Sequence, residues 1–193
     1  MKSVTVFCGS SSGSNSVYAT QAMLLGTALA RRKIRLIYGG AKIGLMGIIA
    51  DAVLKEGGEV VGILPQFLSS KEIAHRGLTQ LIMVDSMHQR KTKMHELSDG
   101  VIALPGGFGT LEELFEMLTW AQLGLHQNPI GLLNVDGYYD HLISLADSMV
   151  NRGFLREINQ KMLLTSNSVV GLLEKMESYS APVVSKWITE EDV

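Results

Sequence analysis

Three apolar runs of strand length in this chain each end in a glycine turn. Val4–Phe7 runs into Cys8-Gly9-Ser10, Ile34–Tyr38 into Gly39-Gly40, and Val101–Leu104 into Pro105-Gly106-Gly107. Repeated strand, tight turn and helix-length segment restrict a chain to alternating α/β architecture. The helix-length segments are Asn15–Lys33, Leu45–Lys55, Met87–Leu97, Leu111–Gly124 and Ser168–Glu177. In the first, Ala22, Leu25, Leu29 and Ala30 share one face, and Gly57-Gly58 stops the second. Glu59–Leu64, Leu78–Val84 and Ile130–Val135 read as further strands, while Pro182–Trp187 fits no element. The central runs are continuously apolar rather than alternating, which marks strands covered on both faces of a parallel sheet. The expected fold is therefore a single-domain α/β structure over residues 1–193. It is a Rossmann-like, doubly wound parallel sheet with helices on both faces. In such sheets ligands bind outside the carboxyl ends of the strands, so function is sought at the three glycine turns.

Composition removes several classes. Charged residues make up 19% and hydrophobic residues 46%, a globular balance that argues against disorder. A net charge of −2 lacks the basic excess of a duplex nucleic-acid binder. The single cysteine, Cys8, cannot form an internal disulfide and reads as a core residue at a strand end. The opening MKSVTVFCGS is too short for a signal-peptide core, and no apolar stretch approaches the ~20 residues of a membrane span. The expectation is a cytoplasmic protein that engages neither nucleic acid nor membrane.

Pro105-Gly106-Gly107-Phe108-Gly109-Thr110 joins a strand to a helix. Glycines let the backbone approach a ligand closely, and the free N–H groups of a helix start favour phosphate. The loop lacks the Gly-Lys-Ser/Thr ending of a P-loop, and Gly9-Ser10-Ser11-Ser12-Gly13 lacks dinucleotide-fingerprint spacing. Thr110 with Glu113 also fits a helix capping box, which by itself would account for both residues.

A second capping box, Ser86 to Gln89, opens the Met87–Leu97 helix. Met87, Arg90, Met94 and Leu97 fall on one stripe, so Arg90 is expected to face inward. An inward arginine needs an anionic partner, either a protein carboxylate or a ligand. Lys91 reads either as a solvated lysine or as a cation reaching the same mouth. His88 and His95 share a stripe, but no further ligand completes a metal pattern, so no metal is expected.

Ser86-Met87-His88-Gln89-Arg90-Lys91 followed by Pro105-Gly106-Gly107-Phe108-Gly109-Thr110-Leu111-Glu112-Glu113 resembles the paired signature of the LOG ("lonely guy") family. The similarity extends to Tyr38-Gly39-Gly40, Gly44-Leu45-Met46-Gly47, Thr119-Trp120-Ala121-Gln122-Leu123-Gly124 and Gly131–Tyr139, reaching about Leu155. Family members are cytokinin riboside 5′-monophosphate phosphoribohydrolases. The resemblance implies that Arg90 and Glu113 are the catalytic pair. It also implies that Glu72, Arg90, Lys91, Gly107, Phe108, Gly109, Thr110, Leu111, Glu112, Glu113 and Thr119 contact the nucleotide. One departure is Ala41-Lys42, where many relatives carry a third glycine.

The implied reaction is hydrolysis of the N-glycosidic bond of AMP or an N6-substituted AMP, giving free base and ribose 5-phosphate without a cofactor. In this reading Glu113 serves as base and Arg90 holds it ionised, with Glu112 as the rival base. Two other classes compete: a carrier that holds a phosphate-bearing molecule without turnover, and a nicotinamide-dependent oxidoreductase, which the absent fingerprint disfavours. Some relatives are labelled lysine decarboxylase. That chemistry needs a lysine Schiff base to pyridoxal phosphate, and no lysine here has the required neighbours. The apolar helix Leu111–Gly124 suggests burial on more than one side, and together with the resemblance it predicts a homodimer.

Overall fold

A computed structural model describes residues 1–69 and 74–182. Glu72 and the end of the Pro182–Trp187 segment therefore lie outside the described residues. The elements in chain order begin β1 (Ser3–Phe7), α1 (Ser16–Arg31), β2 (Arg35–Tyr38), α2 (Gly44–Lys55), β3 (Val60–Pro65), α3 (Gln66–Ser69) and β4 (Gln80–Val84). They continue with α4 (Met87–Glu96), β5 (Val101–Ala103), α5 (Phe108–Leu123), β6 (Ile130–Leu133), α6 (Asp140–Asn151), α7 (Glu157–Gln160), β7 (Leu163–Ser166) and α8 (Val169–Glu177).

All seven strands pair in parallel, in the order β4-β3-β2-β1-β5-β6-β7. Burial follows position. β1, β3, β5 and β6 are buried throughout, whereas the outermost strands β4 and β7 are only partly covered. Two apolar layers result. Leu25, Leu29, Ile49, Val53 and Leu172 pack on one face of the sheet with the side chains of α1, α2 and α8. Met94, Leu114, Met117 and Tyr139 pack on the other with α4 and α5. The doubly wound expectation holds.

Several segments differ from the sequence reading. Asn15 is the N-cap of α1, accepting from the Val17 N–H, and the helix ends at Arg31 rather than Lys33. α6, α7 and β7 were not anticipated. β7 is a four-residue strand of intermediate exposure without the dense apolar run of a central strand, while α6, with no buried residue, carries Leu142, Leu145, Ala146 and Met149 at helical spacing on one face. Among the described residues no helix is long and apolar enough to cross a membrane.

The strand order reverses beside β1. The chain moves outward through β2, β3 and β4, then returns to lay β5 against the other side of β1. In open parallel sheets the crevice at such a switch point receives the ligand. Here it lies between the turns that follow β1 and β5, with the turn after β2 adjacent.

Candidate active site

Backbone bonds lock these turns together. The Gly9 N–H donates to the Pro105 carbonyl at 3.0 Å, and the Leu45 N–H donates to the Gly9 carbonyl at 3.1 Å. A Cβ at Gly106 would strike Thr110 and the Gly9 backbone, so glycine is needed there for close approach. The turns enclose a cleft of about 330 Å³ between Gly9–Gly13 and Pro105–Gly107, lined also by Tyr18, Leu45 and Tyr138.

α5 starts three residues earlier than the sequence suggested. Its N-cap is Gly107, which makes no side-chain cap bond, and Phe108, Gly109 and Thr110 already belong to the helix. The Thr110–Glu113 capping box is therefore not formed. Thr110 is buried, and Glu113 is 7% exposed and turned inward. The Leu111 N–H donates to the Gly107 carbonyl at 3.2 Å, which leaves the N–H groups of the preceding turn to face a ligand.

Gly107 and Gly109 have no structural need to be glycine. Neither has a positive φ, and a Cβ at either would meet nothing within 4 Å. A glycine inside a helix costs about 0.5–1 kcal/mol relative to alanine. Packing offers no return for that cost at Gly109.

The box that opens α4 forms in a shifted version. Ser86 Oγ accepts from the Gln89 N–H at 3.1 Å, while Gln89 Oε1 reaches back to the Asp85 N–H at 2.9 Å. The helix so fixed delivers Arg90 inward, as its stripe with Met94 requires. Arg90 Nη1 lies 3.3 Å from Glu113 Oε1. A Cβ at Gly39 would overlap Arg90 Nη2, so the glycine after β2 is what admits the guanidinium. Arg90 Nε is buried without a hydrogen-bond partner, one donor more than the protein itself satisfies.

Burial pushes the Glu113 carboxyl above the usual carboxylate range; Arg90 pulls it down, and Glu112 adds to the rise. The expected lowering by the guanidinium is thus outweighed by desolvation. Cys8 is buried in the core as expected. Burial, reinforced by Glu113, drives its thiol well above the ordinary range, so it is no nucleophile.

Lys91 is not a solvated lysine. Its side chain is 11% exposed, and Nζ bonds Glu112 and, at 3.0 Å, Glu116. Burial pulls its ammonium down, but the bonds to Glu112 and Glu116 prevail and hold it above the ordinary lysine value. Glu116 was missed in the sequence. The available signal was its spacing of four from Glu112, which puts both carboxylates on one face of α5. Glu112 itself is exposed, facing Lys91 rather than Arg90.

Other implied contact residues divide. Phe108 is 93% exposed at the loop, whereas Leu111 packs against the core. Thr119 lies about 9 Å along α5 from Glu113, from the helical rise per residue. There it lines an apolar groove with Phe115, Leu118, Leu145 and Met149, between α5 and α6. That groove, of about 200 Å³, is lined mostly by apolar residues and by no charged side chain. At the departure from the family pattern, Ala41 is buried and bridges Ala74, while Lys42 is exposed.

A family profile described as "Possible lysine decarboxylase" matches residues 46–176. Cytokinin riboside 5′-monophosphate phosphoribohydrolase LOG5 of Arabidopsis thaliana is 45% identical over 198 residues, spanning 100% of this chain and 86% of the relative. Its counterpart LOG1 from the same plant is 47% identical over 178 residues, spanning 92% and 84%. The similarity thus continues past Leu155, through the segment in which no motif was legible. Among solved structures, a molybdenum cofactor binding protein from Rippkaea orientalis superposes with a TM-score of 0.70 at 24% identity, covering 92% of this chain and 97% of that one. At that identity the likeness concerns the fold.

Proposed function

The chain belongs to the LOG family of cytokinin riboside 5′-monophosphate phosphoribohydrolases, and from that membership we propose that it hydrolyses the N-glycosidic bond of AMP or an N6-substituted AMP. Water enters, and the products are the free adenine-type base and ribose 5-phosphate. The observation that carries the reading is the shielded Arg90–Glu113 pair standing directly behind a glycine-rich helix start.

Cleavage of the C–N bond builds positive charge on the ribose. The glycine loop binds the 5′-phosphate through its unpaired N–H groups and so sets how far the ribose lies from α5. Glu113, in the second turn, faces the anomeric carbon, offsets the ribosyl charge and takes a proton from the attacking water. Its raised proton affinity brings the carboxylate closer to neutral pH, where a base accepts protons more readily. Arg90 holds Glu113 in place through its contact at Oε1. Lys91, Phe108, Thr110 and Glu112 stand around the pair, with Leu111 and Glu72 assigned from the family pattern.

Decarboxylation of lysine does not fit these residues. A Schiff-base lysine must give up its proton to act as a nucleophile. Lys91 is instead held protonated between two carboxylates.

The active form is a homodimer in the cytoplasm, acting without nucleic acid or membrane. The apolar groove between α5 and α6 supports this, because a copy seated there would cover Phe115 and Leu145 and bring a second chain to Thr119. A carrier role, of the kind a molybdenum cofactor binding protein of similar fold suggests, is the competing class. Ribose 5-phosphate release decides between them: AMP is expected to be cleaved and adenosine left intact. Binding of AMP with no turnover of it or of its N6-substituted forms would favour the carrier.

A further inference from the structure

Two adjacent tyrosines bond the backbone of the glycine loop and the strand end before it. Tyr139 is buried, and its hydroxyl donates to the Leu104 carbonyl at 2.7 Å. Tyr138 is half exposed, and its hydroxyl donates to the Gly106 carbonyl at 2.6 Å. The two rings meet edge to face at 4.8 Å, and Tyr138 meets Tyr18 in the same manner at 5.8 Å. The chain reaches them through a tight turn, in which Asp136 has a positive φ of 53° and Asn134 Oδ1 accepts from the Tyr139 N–H at 2.8 Å.

We propose that Tyr138 is a positioning residue for phosphate recognition, latching the Gly106–Gly107 peptide in its binding orientation. This rests on the reading of the glycine loop as a phosphate site. A trans peptide points its carbonyl and the following N–H in opposite directions. Fixing the Gly106 oxygen on Tyr138 therefore fixes the Gly107 N–H on the other side. The plane between two glycines is the one in this loop with the least side-chain hindrance to rotation. If it flipped, an acceptor oxygen would stand where the donor N–H now is, and an oxyanion would meet repulsion in place of a hydrogen bond. The hydroxyl of Tyr138 is the side-chain contact that holds this plane. Its ring lines the same cleft as Gly106 and Gly107.

The test is Tyr138→Phe, which removes the hydroxyl and keeps the ring against Tyr18 and Tyr139. Melting is expected to stay within a degree or two of the parent. The KM for AMP and the inhibition constant of ribose 5-phosphate are expected to rise together by roughly 3- to 10-fold, the scale of one hydrogen bond, with kcat changed less than about two-fold. A merely structural role would lower melting or kcat without this paired rise. Unchanged KM and inhibition constant, or a fall in kcat alone, would overturn the latch. If the parent protein cleaved no nucleotide, the hydrolase reading would fall. The latch would then still be judged by ribose 5-phosphate titration of the two proteins, equal affinities overturning it.

Discussion

Arg90 Nη1 stands 3.3 Å from Glu113 Oε1, and the two side chains are only 12% and 9% exposed. The contact joins the first turn of α4 to the second turn of α5. It also replaces the capping role that Glu113 could have had, because Gly107 rather than Thr110 begins the helix.

Glu113→Gln therefore tests chemistry without a capping effect to confuse it. The amide keeps the shape of the side chain but neither takes a proton from water nor offsets ribosyl charge. Turnover of AMP is expected to fall by about 10²-fold or more, the scale of general base catalysis. AMP binding, measured by calorimetry, is expected to persist. A variant with near-normal kcat would move the base role to another group.

The pH profile follows from the same carboxyl. Burial raises its proton affinity in the folded chain, Arg90 offsetting part of the rise. Because the folded value exceeds the unfolded one, its contribution to stability is full below the ordinary carboxylate range and is lost as pH rises through the folded value. With Glu113 as the proposed base, which works ionised, activity is expected to run the other way. The acid limb of kcat is expected above the ordinary carboxylate range. Arg90→Met is expected to move the Glu113 titration, followed by carbon-13 NMR of the carboxyl, further upward. A downward shift would contradict the assignment of Arg90 as its stabilising partner.

Gly109→Ala separates folding from binding. The position is helical and open, so alanine is expected to stabilise the fold by about 0.5–1 kcal/mol. On the proposed reading the methyl enters the space through which the phosphate approaches, and KM for AMP is expected to rise roughly tenfold, about 1.4 kcal/mol of binding. Improved melting with an unchanged KM would show that the ligand does not approach this residue.

The α5–α6 groove is the proposed contact between two copies of the chain. Leu145 is 51% exposed within it, on a helix with no buried residue. The parent chain is expected to give a dimer mass by light scattering at micromolar concentration, and Leu145→Glu to give the monomer. A parent monomer under those conditions would remove the proposed interface.

Much of this was legible in the residues themselves. Continuous apolar runs announced a parallel sheet, since a strand covered on both faces needs no polar alternation. The spacing of Met87, Arg90 and Met94 turned Arg90 inward before any partner was in view. Gly106 and Gly107 marked the loop. Glycine's weak local preference, however, concealed that α5 begins at Phe108. The edge strand β7 was likewise illegible, because partial burial leaves no strong apolar run, whereas α6 was missed although Leu142, Leu145, Ala146 and Met149 recur at helical spacing.

Sequence by itself determined which residue types stand at the three turns and which face of α4 carries the arginine. Such features depend on neighbours a few positions apart, where helical and strand periods are fixed by backbone geometry. Only the tertiary structure decided that Arg90 meets Glu113 through the gap left by Gly39, that Lys91 is held by Glu112 and Glu116, and that Thr119 lies in the groove. It also decided the direction of the Glu113 shift. These outcomes depend on the strand reversal beside β1, which brings distant segments within hydrogen-bond reach and removes the water that would otherwise solvate their charges.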